Sequence, residues 1–326
     1  IAANIPGQMV GSAPGASFLL YRSENVHAEY PGEEQNWVAA AERSDSAGAD
    51  VISTSLGYNT FDNPIFNHTY QDMNGHTTII ARGANIAASK GMILMIAAGN
   101  EGSSSWHYII TPGDAINVLT VGAVDVNSNP AAFSSYGPSS DGRVKPDVAS
   151  VGVANFVQAT NGGFAKGNGT SFATPNLAGL VTCLWQAFPD FNSTEIMDIV
   201  RKSSSRFSSP DDRVGYGIPD FEKAFKTLTS LRIQRQASEI LKENKLIVFP
   251  NPVNNTSTLL VKVPVSGTAL IKWYDASGKM VFSQTENVKQ EDVNIIQLKR
   301  NALARGVYIL HFVVGGEKYS QKIIIQ

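Results

Sequence analysis

Residues 92–98 read Met-Ile-Leu-Met-Ile-Ala-Ala, without one polar position, and the run from Asn117 to Val124 is nearly as apolar. Apolar runs of this length without alternation predict strands buried on both faces. Helical spacing lies between such runs. Trp37, Ala40 and Ala41 recur on one side of Glu33–Ser46, and Ile80, Ala84, Ala87 and Ala88 on one side of Thr77–Ser89. Asp50–Gly57 reads as a strand running into a turn. Strands alternating with helices predict an α/β fold, a parallel sheet with helices on both faces. Functional groups in that architecture gather beyond the carboxyl ends of the strands, where Ser55-Leu56-Gly57 and Gly99-Asn100-Glu101 fall.

Asn192-Ser193-Thr194-Glu195 has the spelling of a capping box and predicts a helix to about Ser204. A further short helix is expected to about Leu228. Residues 229–244 are polar and charged and read as a linker. The pattern then changes to seven short runs rich in β-branched and aromatic residues: 246–250, 258–263, 268–274, 280–284, 293–298, 306–314 and 318–325. Turns at Asn251-Pro252, Ser277-Gly278 and Gly315-Gly316 punctuate them, which predicts a small β-sandwich over 245–326.

One stretch interrupts the apolar pattern with chemistry. Gly167-Asn168-Gly169-Thr170-Ser171-Phe172-Ala173-Thr174-Pro175 puts two glycines ahead of a serine. Leu177, Leu180, Val181 and Leu184 then follow at helical spacing. Ser171 therefore falls at a helix N-terminus, where unpaired N–H groups and the dipole favour negative charge. Such charge develops when a serine attacks a carbonyl. A serine here also serves simply as an N-cap.

Gly-Thr-Ser-Phe-Ala-Thr-Pro resembles the nucleophile motif of subtilisin-like serine proteases, and the resemblance runs from about Val10 to about Phe225. It implies a subtilisin-like peptidase domain over 1–228 with Ser171 as nucleophile. Ala97-Ala98-Gly99-Asn100-Glu101-Gly102 resembles the oxyanion-hole motif, with Asn100 as side-chain donor. Ser55, Leu56 and Gly57 resemble the segment that pairs with an extended substrate. Ala97, Ala98 and Gly99 would wall the pocket for the residue before the cleaved bond, and small residues there leave room for a side chain. The resemblance also implies a core strand at Ser17–Tyr21, the tail of a helix at Ile1–Asn4, and a cis bond between Thr111 and Pro112. The catalytic His is then expected on the order of ten residues upstream of Ile1, with the Asp farther upstream, so that the chain as given would be inactive. At the other end, Val248-Phe249-Pro250-Asn251-Pro252, Tyr274-Asp275-Ala276-Ser277-Gly278-Lys279, Gly306-Val307-Tyr308 and Lys322-Ile323-Ile324-Ile325 resemble the sorting domain of type IX secretion cargo. That implies a protein secreted or attached to the surface of a Gram-negative bacterium, with the type IX machinery as partner and polypeptides as substrates.

Composition narrows the alternatives. The 26 Lys plus Arg are balanced by 28 Asp plus Glu, without a basic cluster, so no nucleic-acid partner is expected. No apolar run approaches the ~18 residues of a membrane span. Cys183 is the one cysteine, which excludes an internal disulfide, and its apolar helix predicts a buried, inert thiol. None of the five histidines has the context of a triad base. His76, in Asn74-Gly75-His76-Thr77, is expected near solvent at a helix start. No cofactor is expected to be required; relatives that bind calcium leave a structural site compatible with the fold, but no residues are assigned to it. Two other classes compete with the protease: a non-catalytic surface-attached binding protein on the same fold, and, for the tail alone, an adhesive or carbohydrate-binding sandwich.

Overall fold

A tight hairpin, β1 (Asn4–Ile5) with β2 (Met9–Val10), lies at the first residues. The helix tail expected at Ile1–Asn4 is absent. Gly7, at φ +83°, turns the chain, and the Gln8 N–H donates to Ile5 O at 3.0 Å. The computed structural model describes all residues except 241–245, 254–256, 291, 300–302 and 326, and the backbone alone of 236 and 238–240. It divides into two units, Ile1–Leu228 and Thr229–Gln326.

In the first unit α1 (Gly32–Ser46) leads to β3 (Val51–Thr54), and α2 (Ile79–Ser89) to β4 (Ile93–Ala97). Next come β5 (Leu119–Val124) and β6 (Val148–Val151). The four strands form one parallel sheet in the order β3-β4-β5-β6. Every position of β4 and β5 is buried, as their unbroken apolar runs require. Leu94 and Ile96 join Trp37, Ile80 and Ala84 in one core cluster, so α1 and α2 cover that face of β4. Alternation sends Ile93 and Met95 to the other face. β6 is not among the strands expected from the sequence, because four residues among turns carry too short a pattern to stand out.

The core strand expected at Ser17–Tyr21 does not form. Phe18, Leu19, Leu20 and Tyr21 are exposed, Leu20 at 90%. Their backbone groups enter no ladder among the described residues. An apolar run becomes a strand only where a neighbouring edge takes its N–H and C=O groups, and none lies beside it here.

After β6, β7 (Asn155–Gln158) and β8 (Phe164–Gly167) make a hairpin, and α3 (Thr170–Ala187) packs against all four sheet strands. α4 (Ser193–Ser203) opens on the expected capping box of Asn192 and Glu195. α5 (Phe221–Ile240) continues past Leu228, so residues 229–240, read as a linker from their polarity, are helical. That stretch has neither Gly nor Pro, and nothing in it breaks a helix. The remainder of the expected linker lies outside the described residues.

The second unit carries seven strands: β9 (Leu246–Phe249), β10 (Thr258–Lys262), β11 (Gly267–Tyr274), β12 (Met280–Val288), β13 (Val293–Gln297), β14 (Gly306–Val314) and β15 (Glu317–Ile325). They form two antiparallel sheets, β13-β10-β9 and β12-β11-β14-β15. Leu259 and Val261 of the first share one core with Ile271, Trp273, Leu310 and Phe312 of the second. This is the expected sandwich, each strand turning alternate residues inward.

Candidate active site

Gly169 caps α3 at φ +155°, a conformation only glycine adopts without strain. The chain then enters the helix with Thr170 and Ser171. The Phe172 and Ala173 N–H groups donate to Gly169 O at 3.1 and 3.4 Å. The Ser171 N–H has no acceptor among the described residues and remains one of the helix's free first-turn donors.

Thr170, fully buried, ties this turn to the end of β4. Its Oγ1 accepts from the Gly99 N–H at 3.3 Å and lies 3.2 Å from Gly99 O. Its N–H donates to Asn100 Oδ1 at 3.0 Å, and its Oγ1 lies 3.1 Å from the same oxygen. A backbone N–H needs an acceptor, so the Asn100 amide must turn its oxygen to Thr170. Its Nδ2 is then left without an acceptor among the described residues. The empty Cβ position of Gly169 is 3.6 Å from Ser171 N and 3.7 Å from Asn100 Nδ2. Two unspent donors thus lie within 4 Å of one point.

The segments at 55–57 and 97–99 meet at the same place. Ser171 Oγ donates to Ser55 O at 3.2 Å, and Ser55 Oγ to Ser171 O at 3.0 Å. Leu56 and Gly57 make no backbone–backbone hydrogen bond among the described residues, so this edge is open. Ala97 ends β4; Ala98 follows it, buried, donating to Val121 O at 3.0 Å and accepting from the Ile110 N–H at 3.1 Å. Gly99 turns at φ +106°. Tyr58 and Thr111 exchange backbone hydrogen bonds at 2.8 and 3.2 Å, closing the cleft wall, and the Thr111–Pro112 bond is cis as expected. Burial, then Glu24 and Glu33, push the Tyr58 hydroxyl up, keeping it a donor to Glu24 at 3.4 Å. Ser55, Gly99, Asn100 and Ser171 are thus tied together through these hydrogen bonds, with Ala97, Ala98 and Gly57 beside them, while Leu56 packs against the core that α1 and α2 cover. Ile110 is not among the residues named from the sequence, because only the fold brings it to Gly57 and Gly99.

No histidine stands beside Ser171 among the described residues. His68 pairs with Glu34 at 2.6 Å, and His107 stacks on Tyr136. His27 and His76 are exposed, His76 just ahead of the α2 cap Thr78. His311 belongs to β14. Cys183 is exposed on α3 rather than buried, with Sγ 3.3 Å from Ser12 O. It falls outside the apolar stripe that Val181 and Leu184 bury. Among the described residues no group of three His, Cys, Asp or Glu side chains is placed to hold a metal ion, and no helix is long and apolar enough to cross a membrane.

Residues 1–217 match the sequence model of the subtilase family of peptidases. The chain belongs to the subtilase family. Residues 247–326 match a second model, a secretion system C-terminal sorting domain. The subtilase part is 30% identical over 209 residues to a thermophilic serine proteinase of Bacillus sp. strain AK1, covering 64% of this chain and 45% of that protein. It is 30% identical over 218 residues to subtilisin BL of Lederbergia lenta, covering 66% of this chain and 70% of that one. The chain thus spans less than half of the first of these relatives. The crystal structure of MycP1 with its N-terminal propeptide removed shares the subtilase fold, at a TM-score of 0.52 and 23% identity over 68% of this chain and 75% of that one.

Proposed function

We propose that the first unit hydrolyses peptide bonds, with Ser171 as nucleophile and with the Ser171 N–H and Asn100 Nδ2 as oxyanion donors. The observation that carries this reading is the pair of unspent donors lying close together at the Ser171 turn. Donors already aimed at a developing negative charge are the largest single term in many acyl-transfer enzymes. An extended substrate would pair with the open Ser55-Leu56-Gly57 edge, as an added strand, with Ala97, Ala98 and Gly99 opposite. A serine hydroxyl needs a base, and the Ser55 carbonyl that Ser171 Oγ now meets cannot take its proton. The base His and its orienting Asp are assigned to residues outside these 326. The reaction so written requires no cofactor, and structural calcium remains unassigned to residues. The sorting domain would direct export through a type IX machinery, leaving the protease secreted or attached at the surface of a Gram-negative cell.

The competing reading is a binding protein that keeps the fold without catalysis. The absence of a histidine beside Ser171 among the described residues favours it. A fluorophosphonate probe applied to the full-length gene product decides between them. Labelling that Ser171→Ala abolishes supports the protease; labelling that survives the substitution overturns Ser171 as nucleophile. A folded protein that takes no label is the binding module.

A further inference from the structure

Gly57 and Gly99 both lie against the side chain of Ile110, with Thr111 O at 2.7 Å and Ser135 Oγ at 2.8 Å nearer still to methyls placed on them. A methyl placed on Gly57 would come 2.9 Å from Ile110 Cγ1 and 3.0 Å from Cδ1. One placed on Gly99 would come 2.9 and 3.1 Å from the same two atoms. The Cγ1–Cδ1 arm of Ile110 therefore spans the gap between the Ser55–Gly57 edge and the Ala97–Gly99 wall. Its backbone is held on both sides. The Ile110 N–H donates to Ala98 O at 3.1 Å, its carbonyl accepts from Gly113 N at 2.8 Å, and Thr111 pairs with Tyr58. A β-branched side chain on so fixed a backbone has little rotameric freedom with which to swing aside. Ile110 is half-buried, so the arm still borders the open cleft.

The reacting geometry gives this gap its meaning. The substrate carbonyl must lie beside Ser171 Oγ with its oxygen toward Ser171 N and Asn100 Nδ2. On that placement the residue bearing the carbonyl would lie between the ends of β3 and β4, with its side chain directed toward Gly57 and Gly99. We propose that Ile110 fills this pocket and restricts the residue before the cleaved bond to Gly or Ala. The proposal rests on the reading of the cleft as a peptide-hydrolysing site. It reverses the expectation from the small wall residues alone: the room they leave is taken by a side chain from a third segment.

Acetylated tripeptides ending in a free-acid Ala or Phe occupy the same half of the cleft as a cleaved product and need no catalysis to bind. Their affinities are measured by calorimetry on the full-length protein carrying Ser171→Ala, with Ile110, with Ile110→Val and with Ile110→Ala. The Ala peptide should bind the Ile110 form about 10- to 100-fold more tightly than the Phe peptide, the discrimination a steric pocket supplies. Ile110→Ala should bring the Phe peptide at least level. Ile110→Val, which keeps the branch and most of the volume, should fall between them and still reads the effect if the alanine variant does not fold. Equal binding of both peptides to the Ile110 form, or a ratio that neither variant moves, overturns the plug. Binding of neither peptide to any form overturns the cleft reading and the plug together. Probe labelling of Ser171 reports on the nucleophile alone, so a protease with an open pocket is told apart from a protein that is no protease.

Discussion

Asn100 has one amide, and the Thr170 N–H decides which end faces the cleft. Replacing Asn100 by Ala removes one donor and leaves the Ser171 N–H in place. On the proposed function, the full-length protein should lose about 10²–10³ in kcat, a magnitude known from subtilisin itself, with KM nearly unchanged. A change confined to KM would assign Asn100 to substrate binding instead. Gly169 makes a second residue-scale case. An added methyl there meets nothing closer than Phe172 Cδ2 at 3.5 Å, so space is not the constraint. The φ of +155° is, and Gly169→Ala should cost about 1–3 kcal/mol in urea unfolding. Wild-type stability in that variant would show that the cap tolerates a side chain. Ser171 and Asn100 are candidates that the sequence alone offers, because each sits in a short local spelling. The proposed role of Ile110 is not legible there, because it depends on segments that only folding brings together.

Secondary-structure elements are held by contacts that local spelling does not show, and β6 is the clearest instance. Asp147, just ahead of it, is buried and accepts from Lys145 Nζ at 2.8 Å, Thr120 N at 2.9 Å and Arg201 Nε at 2.9 Å. One carboxylate thus joins β5, β6 and α4. Burial opposes its charge, but Lys145 and then Arg201 outweigh burial and hold it below the ordinary 3.8. The folded-state pKa is lowered, so the stabilisation is full above 3.8 and fades as pH falls through the depressed value. Asp147→Ala should cost about 3–5 kcal/mol at neutral pH, since it leaves the buried Lys145 ammonium without its carboxylate, while Arg201 keeps Asp198 at 3.5 Å. The gap between variant and parent in urea unfolding should narrow in strong acid; a gap that ignores pH would refute the ionic account. Asp114 has the opposite sign. It is fully buried, its Oδ2 accepts from Gly75 N at 2.7 Å, and its Oδ1 has no hydrogen-bond partner among the described residues. Burial raises its pKa against the Gly75 and Thr111 hydrogen bonds, so the charged form is penalised above that pKa. Asp114→Asn keeps an acceptor for Gly75 and should stabilise the fold at neutral pH, with the advantage vanishing as pH falls below the raised pKa. Lower stability at neutral pH would mean that the charge itself is needed. The sequence carries no hint of either carboxylate's surroundings. It showed β4 and β5 plainly, because strands buried on both faces are apolar throughout. It misled at Ser17–Tyr21, where a strand-like run has no edge to pair with.

At the scale of the whole molecule, residues 229–326 close a core of their own. Leu246, Leu259, Trp273, Leu310 and Phe312 all belong to one cluster, and every member comes from the second unit. The switch from helical spacing to short β-rich runs made this unit visible in the sequence, and the match to a sorting domain gives it a task. A segment with its own core should fold when joined to an unrelated partner. Residues 229–326, fused behind a soluble reporter with a periplasmic signal, should carry that reporter across the outer membrane of a type IX-competent host. A second fusion with Leu310→Ala tests whether the folded sandwich is what the machinery reads. Leu310 is fully buried on β14, and its truncation should cost about 2–5 kcal/mol. If the folded surface is the signal, export should fall in step with the loss of folded domain, measured by protease resistance of the purified fusion. Export of the parent fusion with loss in the variant supports a folded sorting signal. Equal export of both would place the signal in the bare sequence of the tail. Retention of the parent fusion in the periplasm, with its sandwich intact, would refute the sorting role and return the tail to the adhesive reading.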